Sequence, residues 1–282
     1  MTTTLTEIHC ERVLAPSGIN LGDYVINPYR GCSIGCRYCY VQKNKAIQKR
    51  HAPWGSFVDV KINAPTILRK ELQSKKVNHV LIGSTTEVYQ PCEERYGLMR
   101  ELVSILNDYD VAYTILTKSS LIVRDVDVLK KGRETEIYFT VSPLTKAICD
   151  VLEPHSLPFH KRIATVTALI EAGIKTRVYV NPVIPHVVNP EEIMKMFSGI
   201  VSFLDFEGIN VKMLNWDELR SVLRQCCNDR LSMIDAVCSH ENIWNRYWDE
   251  LRSAIVEMNK KYDYSIRTFF HPFSSYFGVL NY

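Results

Sequence analysis

The stretch "NPYRGCSIGCRYCYVQ", residues 27–42, gathers Cys32, Cys36 and Cys39, three of the chain's nine cysteines, within eight residues. It follows directly on "DYVINPY" (23–29), whose β-branched and aromatic residues read as a strand. The cysteines therefore sit on a loop at the end of a strand. Thiolates are soft ligands, and short spacers let neighbouring ones converge on one metal centre. Structural zinc normally takes four protein ligands. The nearest further candidates here, Cys10 and His51, stand at irregular spacing. An iron–sulfur cube, by contrast, can take three thiolates and leave one iron open to a small molecule.

Outward from the cysteines, short apolar runs alternate with amphipathic stretches. "PTILRKELQSKK" (65–76) reads as a helix with Pro65 near its start. "HVLIGST" (79–85) reads as a buried strand, and "RYGLMRELVSILNDY" (95–109) as a helix with Leu98, Met99, Leu102, Val103 and Leu106 on one face. "VAYTILTKS" (111–119) and "EIYFTVSP" (136–143) read as strands. "KRIATVTALIEAG" (161–173) is a helix stopped by Gly173, and "TRVYVNPVIP" (176–185) a strand ending at prolines. "NPEEIMKMFSGIVSFL" (189–204) is expected to be a helix capped by Asn189, with "INVKML" (209–214) as the sixth strand. Sustained β-α order with apolar strands implies a parallel sheet covered on both faces. A full eight-stranded barrel takes about 250 residues, so the reading is α/β, a partial (β/α)6 TIM-like barrel. It spans residues 1–214, with a helix-rich C-terminal extension, 215–282, packed on it. Within that extension Trp244, Tyr247, Trp248, Leu251 and Ile255 form an apolar face, and "YSIRTFFHPFSSYFGVL" (264–280) is expected to add a strand or a lid.

With 282 residues, 46% hydrophobic and 23% charged, the chain is long enough for a large core. A net charge of +3 does not demand a nucleic-acid partner. No apolar run is long enough to span a membrane, and the N-terminus lacks a signal layout. The expected location is the cytoplasm, where clustered cysteines act as ligands or catalysts rather than as disulfides.

The pattern Cys-x3-Cys-x2-Cys after a first barrel strand resembles the radical S-adenosylmethionine superfamily. "INPYRGCSIGCRYCY" is similar to its spore photoproduct lyase branch. So are "LAPSGI", "GSTTEVYQPCE", "ILTKSSLIVRDVDVL", "VSPLTKAICDVLEP" and "AGIKTRVYVNPVIP", a match running from Leu14 to Glu192. The resemblance implies a 4Fe–4S cluster on Cys32, Cys36 and Cys39, with S-adenosylmethionine on the open iron. It also implies reductive cleavage to methionine and a 5′-deoxyadenosyl radical, and an electron donor such as flavodoxin or ferredoxin. Cofactor contacts are implied for Ser84 and Thr85, in the segment opened by Gly83, and for Lys118, Ser142 and Asn181. Tyr38 and Tyr40 flank Cys39 as tyrosines do in the lyases, which allows two readings, relay of a radical or packing around the cluster.

One departure stands out. True spore photoproduct lyases keep a hydrogen-donating cysteine after strand two, where this chain has Ser84; Cys92, eight residues on, reads as a small buried residue, or as the substitute donor if its loop folds inward. Cys226, Cys227 and Cys238, with His240, form a looser group, read as buried or incidental thiols, with a second metal centre as the alternative. The substrate is expected to be a small molecule or peptide. Lys43, Lys45, Lys49 and Arg50 also permit a nucleic acid, thymine-dimer repair included. A non-enzymatic zinc module is the competing reading of the cysteines.

Overall fold

The frame is set by a sheet whose central strands bury most of their side chains. The computed structural model describes residues 3–19, 21–141 and 145–273. Its strands are β1 (Thr4–Ile8), β2 (Ala15–Pro16), β3 (Tyr24–Ile26), β4 (Tyr29–Gly31), β5 (Phe57–Lys61), β6 (His79–Ile82), β7 (Ala112–Thr117), β8 (Thr135–Thr140), β9 (Lys175–Val183), β10 (Phe203–Gly208) and β11 (Ser265–Phe269). Eight form one sheet in the order β11-β10-β9-β8-β7-β6-β3-β2. From β3 to β11 every neighbouring pair is parallel, with Ile26 opposite Ile82 and Ile115 opposite Ile137. Only β2 is antiparallel. Val80, Ile82, Ile115, Ile137, Val178, Val180 and Leu204 are fully buried between the strands and their crossover helices. Each such side chain is worth about 1.5–3 kcal/mol.

The "DYVINPY" strand is broken in two. β3 joins the main sheet, and β4 leaves it to pair antiparallel with β5, in a three-stranded sheet completed by β1. This division carries the cysteine loop away from the β3 axis.

The sixth strand lies earlier than expected. The helix from Pro190 ends at Phe197, Gly199 follows with φ +74°, and the chain enters β10 at Phe203. "VKM" (211–213) is one 3-10 turn. The Asn189 cap is present, its Oδ1 accepting from the Glu191 N–H at 3.0 Å.

The C-terminal stretch supplies a seventh parallel strand, β11, on the edge of β10. The helix Glu241–Asn259 packs Trp244, Trp248 and Ile255 inward, with Tyr247 and Leu251 half-buried beside them. Gly208 is needed there: an added Cβ would lie 3.0 Å from the Trp248 ring. Among the described residues no helix is long and apolar enough to cross a membrane.

Candidate active site

Side chains from six strands line one cavity of about 450 Å³: Leu81 of β6, Leu116 of β7, Tyr138 of β8, Tyr179 of β9, Glu207 of β10 and Arg267 of β11. A flat sheet could not present all six to one space, so the sheet curves as a partial barrel. Residues at or just past the strands' C-terminal ends line the cavity, Ser84, Lys118, Thr140, Asn181, Gly208 and Phe269 among them, and Cys32, Cys36 and Cys39 form part of its wall.

The cysteine loop is held in place before any ligand arrives. Gly31 has φ +89°, and a Cβ on it would stand 2.5 Å from the Phe57 carbonyl oxygen. Gly35, at φ +66°, lies against Gly55, where a Cβ on Gly55 would be 3.0 Å from the Gly35 Cα. This contact brings Trp54 onto the loop, where it packs with Cys32, Cys36 and Cys39. Backbone amides fix the rest: Ser33 N–H donates to Gln90 Oε1 at 2.9 Å, and Arg37 N–H to the Leu152 carbonyl at 2.9 Å.

Burial pushes the Cys32 thiol up to about 12, with Cys36 adding to the effect. The Glu87 and Ile34 amides work the other way on its sulfur. Burial also raises Cys36 and Cys39, against which Lys118 lowers both. Thiols so placed ionise only when a cation arrives, which is what coordination supplies. Among the described residues no three His, Cys, Asp or Glu side chains are gathered tightly enough for a single ion. A cluster offering each thiolate its own iron needs no such gathering. The donor set, three thiols on one cavity wall with amides and a lysine beside them, fits an iron–sulfur cluster.

Lys118 leaves the end of β7, where buried Glu87 accepts from the Thr117 hydroxyl at 2.6 Å and from the Lys118 N–H at 2.8 Å. Its Nζ lies 3.7 Å from Cys36 Sγ, 3.0 Å from the Tyr38 hydroxyl and 3.0 Å from Glu153 Oε1. Glu153 also accepts from Tyr38 and is ion-paired with Arg162, whose Nη2 reaches Ser156 Oγ at 2.7 Å. Burial disfavours the Glu153 charge, but Lys118 and Arg162 outweigh it and hold the carboxyl below the usual carboxylate range. Burial likewise opposes the Lys118 charge, and Cys36 and Glu153 restore it, leaving the ammonium above the usual lysine range.

Gly83, Ser84 and Thr85 also line the cavity. Gly83 has φ +94°, and a Cβ there would meet the Leu116 carbonyl at 2.6 Å. The close approach that calls for glycine is thus to β7. Asn27 fixes the segment, donating to Ser84 Oγ at 3.1 Å and accepting from the Thr85 N–H at 3.0 Å. Tyr40 donates to the Ser84 carbonyl at 2.7 Å. Asn181 lies in the cavity at a bulge: Val180 pairs with Phe206 and Val183 with Gly208, so two residues of β9 face one of β10. Its Nδ2 donates to Glu207 Oε2 at 2.7 Å, and Glu207 also accepts from Tyr179 and lies 3.1 Å from His271 Nε2. Ser142 lies outside the described residues.

Cys92 does not join this set. It precedes the short helix Glu93–Tyr96 and packs against Tyr29, Val58, Val60 and Leu98, the group between β4 and β5, away from the cavity wall. The loop after β6 turns it toward the small sheet, whereas a hydrogen donor to a substrate in the cavity would line that cavity. Cys226 ends the helix Trp216–Cys226, with its sulfur 3.7 Å from Cys227 Sγ. Cys227 and Cys238 are buried in the core, and His240 faces the Ala236 carbonyl. Of the basic group, Arg50 pairs with Asp59 at 3.3 Å and Lys43 donates to the Leu214 carbonyl.

Sequence reasoning missed Glu87, Glu153, Arg162, Trp54 and Glu207. The signal available for Glu153 and Arg162 was charge inside apolar runs, "VLEP" and "HKRIATV", which demands a buried partner.

Comparison with known proteins agrees with this geometry. A family model described as the radical SAM superfamily matches residues 26–198. An uncharacterized protein of Methanocaldococcus jannaschii is 30% identical over 93% of this chain and 96% of its own length. Among solved structures, a spore photoproduct lyase variant with bound AdoMet and dinucleoside spore photoproduct superposes with a TM-score of 0.68 at 15% identity. It covers 94% of this chain and 81% of that one. Streptococcus suis SuiB bound to the precursor peptide SuiA gives 0.53 at 15% identity, covering 86% and 48%.

Proposed function

Because the chain belongs to the radical SAM superfamily of enzymes, we propose that Cys32, Cys36 and Cys39 hold a 4Fe–4S cluster and that S-adenosylmethionine lies in the cavity beside it. The observation that carries this reading is the shared wall: the three thiols, Lys118 and the C-terminal ends of six strands bound one space. Cys32, Cys36 and Cys39 would hold the cluster, which would supply the electron for reductive cleavage of the sulfonium to methionine and a 5′-deoxyadenosyl radical able to remove hydrogen from an organic substrate. The reaction draws its electron from an external donor such as flavodoxin or ferredoxin.

The chain's residues divide the remaining work. Lys118 presents its ammonium to the methionyl carboxylate, a charge-assisted contact. The Ser84–Thr85 segment, held by Asn27, presents hydroxyls to the amino group. Asn181, aimed by the β9 bulge, faces the nucleoside half. Tyr38, Tyr40 and Trp54 cover the cysteine loop with aromatic surface and limit water around the reacting centre.

The reaction itself differs from thymine-dimer repair in this reading. Ser84 stands where the lyases keep their donor thiol, and a hydroxyl O–H bond is too strong to give up its hydrogen to a carbon radical. The substrate is an organic molecule, small or peptidic, with nucleic acid as the second class. Anaerobic reconstitution followed by assay for 5′-deoxyadenosine tests the reading; a chain that binds no iron and forms none of this product contradicts it.

A further inference from the structure

One buried cation, one buried carboxylate and the partly buried Lys118 stand behind the cysteine loop. Arg162 is 0% exposed and Glu153 2%. Arg162 Nε donates to the Leu157 carbonyl at 3.0 Å, its Nη2 is shared between Glu153 and Ser156, and its Nη1 is buried with no hydrogen-bond partner. Lys118 meets the other carboxylate oxygen of Glu153. These groups come from three elements: the end of β7, the residue after the helix Lys146–Leu152, and the helix Phe159–Glu171.

Burying a charge costs several kcal/mol unless it is paired and hydrogen-bonded. Lys118 alone, on a long flexible stem, would swing out of the cavity to water. Glu153 prevents this, since its carboxylate holds the ammonium at 3.0 Å and within reach of Cys36. Glu153 would in turn stay neutral in so dry a place without a second cation, and Arg162 is that cation. Counted together, the three carry two positive charges and one negative, and Lys118 is the member that lines the cavity.

We propose that Glu153 and Arg162 are positioning residues: they form a buried relay that aims the Lys118 ammonium at the cavity, where it meets a ligand carboxylate. The inference rests on the proposed reading of the cavity as the S-adenosylmethionine site. Neither relay residue touches the ligand; each acts through Lys118. The tyrosine joins the same row, since Tyr38 donates to Glu153 and accepts from Lys118.

The test is a double-mutant cycle on the full, iron-loaded chain, with S-adenosylmethionine binding measured by calorimetry. Glu153→Gln is expected to weaken binding roughly tenfold or more, the lower end of what a charge-assisted hydrogen bond is worth. Combined with Lys118→Ala, it is expected to cost no more than about twofold beyond Lys118→Ala alone, because the relay works only through that lysine. A structural role would give additive losses, and additivity overturns the relay, as does normal binding by Glu153→Gln. Arg162→Lys keeps the charge and loses the fork, and it enters the same cycle should Glu153→Gln fail to load iron. If the wild-type chain binds no S-adenosylmethionine, the reading of the cavity fails. The relay is then judged from the Lys118/Glu153 cycle on urea unfolding, where coupling supports it and independence overturns it.

Discussion

Gly31 lies so close to Phe57 that a single added carbon would stand 2.5 Å from the Phe57 carbonyl oxygen. The residue before Cys32 is thus fixed against β5, and its φ of +89° is one that other residues rarely adopt. Gly31→Ala is expected to cost about 1–3 kcal/mol from the backbone strain alone, and more from the contact. Urea unfolding should show the loss. Iron loading should fall with it, since the loop must shift; full iron content in a stable Gly31→Ala chain would contradict this account of the loop.

Lys118→Ala should leave the cluster in place and weaken S-adenosylmethionine binding by roughly 1.5–3 kcal/mol, the range for a hydrogen bond to a charged group. Calorimetry on iron-matched proteins measures it. Unchanged affinity would make Lys118 a structural partner of Glu153 and nothing more.

The acid limb of stability carries a signature of Glu153. Its carboxyl is depressed in the folded chain, against burial, by Lys118 and Arg162. A depressed carboxylate contributes stability that is fully present above the unfolded value, about 4.3, and lost as pH falls through the folded one. The stability difference between wild type and Glu153→Gln should therefore be flat above about pH 5 and shrink steadily below about pH 4.3. A difference that does not change with pH would mean that Glu153 is not ionised in the folded chain.

Cys92→Ala removes a half-buried thiol from the group around Tyr29 and Val58. The expected cost is roughly 1 kcal/mol of stability, with iron content and 5′-deoxyadenosine formation unchanged. A thymine-dimer substrate should give uncoupled 5′-deoxyadenosine rather than clean repair. Rapid repair that disappears in Cys92→Ala would reverse both the placement of this thiol and the reading of Ser84.

Much of the frame was legible because the strands are apolar on both sides. "HVLI", "AYTILT" and "EIYFT" announce themselves by composition, and the cysteine loop by spacing. β10 was hidden by its own charges. Asp205, fully buried, is matched by Arg177 at 3.1 Å and by Arg267 at 2.5 Å, and no local pattern in "FLDFEG" reveals partners 28 and 62 residues away. The same limit concealed Glu153. It lies 35 residues from Lys118 and 115 from Tyr38, so only the fold brings the three together. For Cys92 the limit is the opposite one: nearness in sequence to Ser84 says nothing about which way the loop turns.

The central claim is that Cys32, Cys36 and Cys39 carry a redox-active iron–sulfur cluster. Anaerobic reconstitution of wild type and of Cys32→Ala, Cys36→Ala and Cys39→Ala, with iron counted and 5′-deoxyadenosine assayed after reduction, tests it most directly. The expected result is a brown wild type with about four irons per chain, the content of one cubane, that forms 5′-deoxyadenosine, and three variants that lose both properties. A colourless wild type holding stoichiometric zinc, or any one of the three variants cleaving S-adenosylmethionine at the full rate, would contradict it.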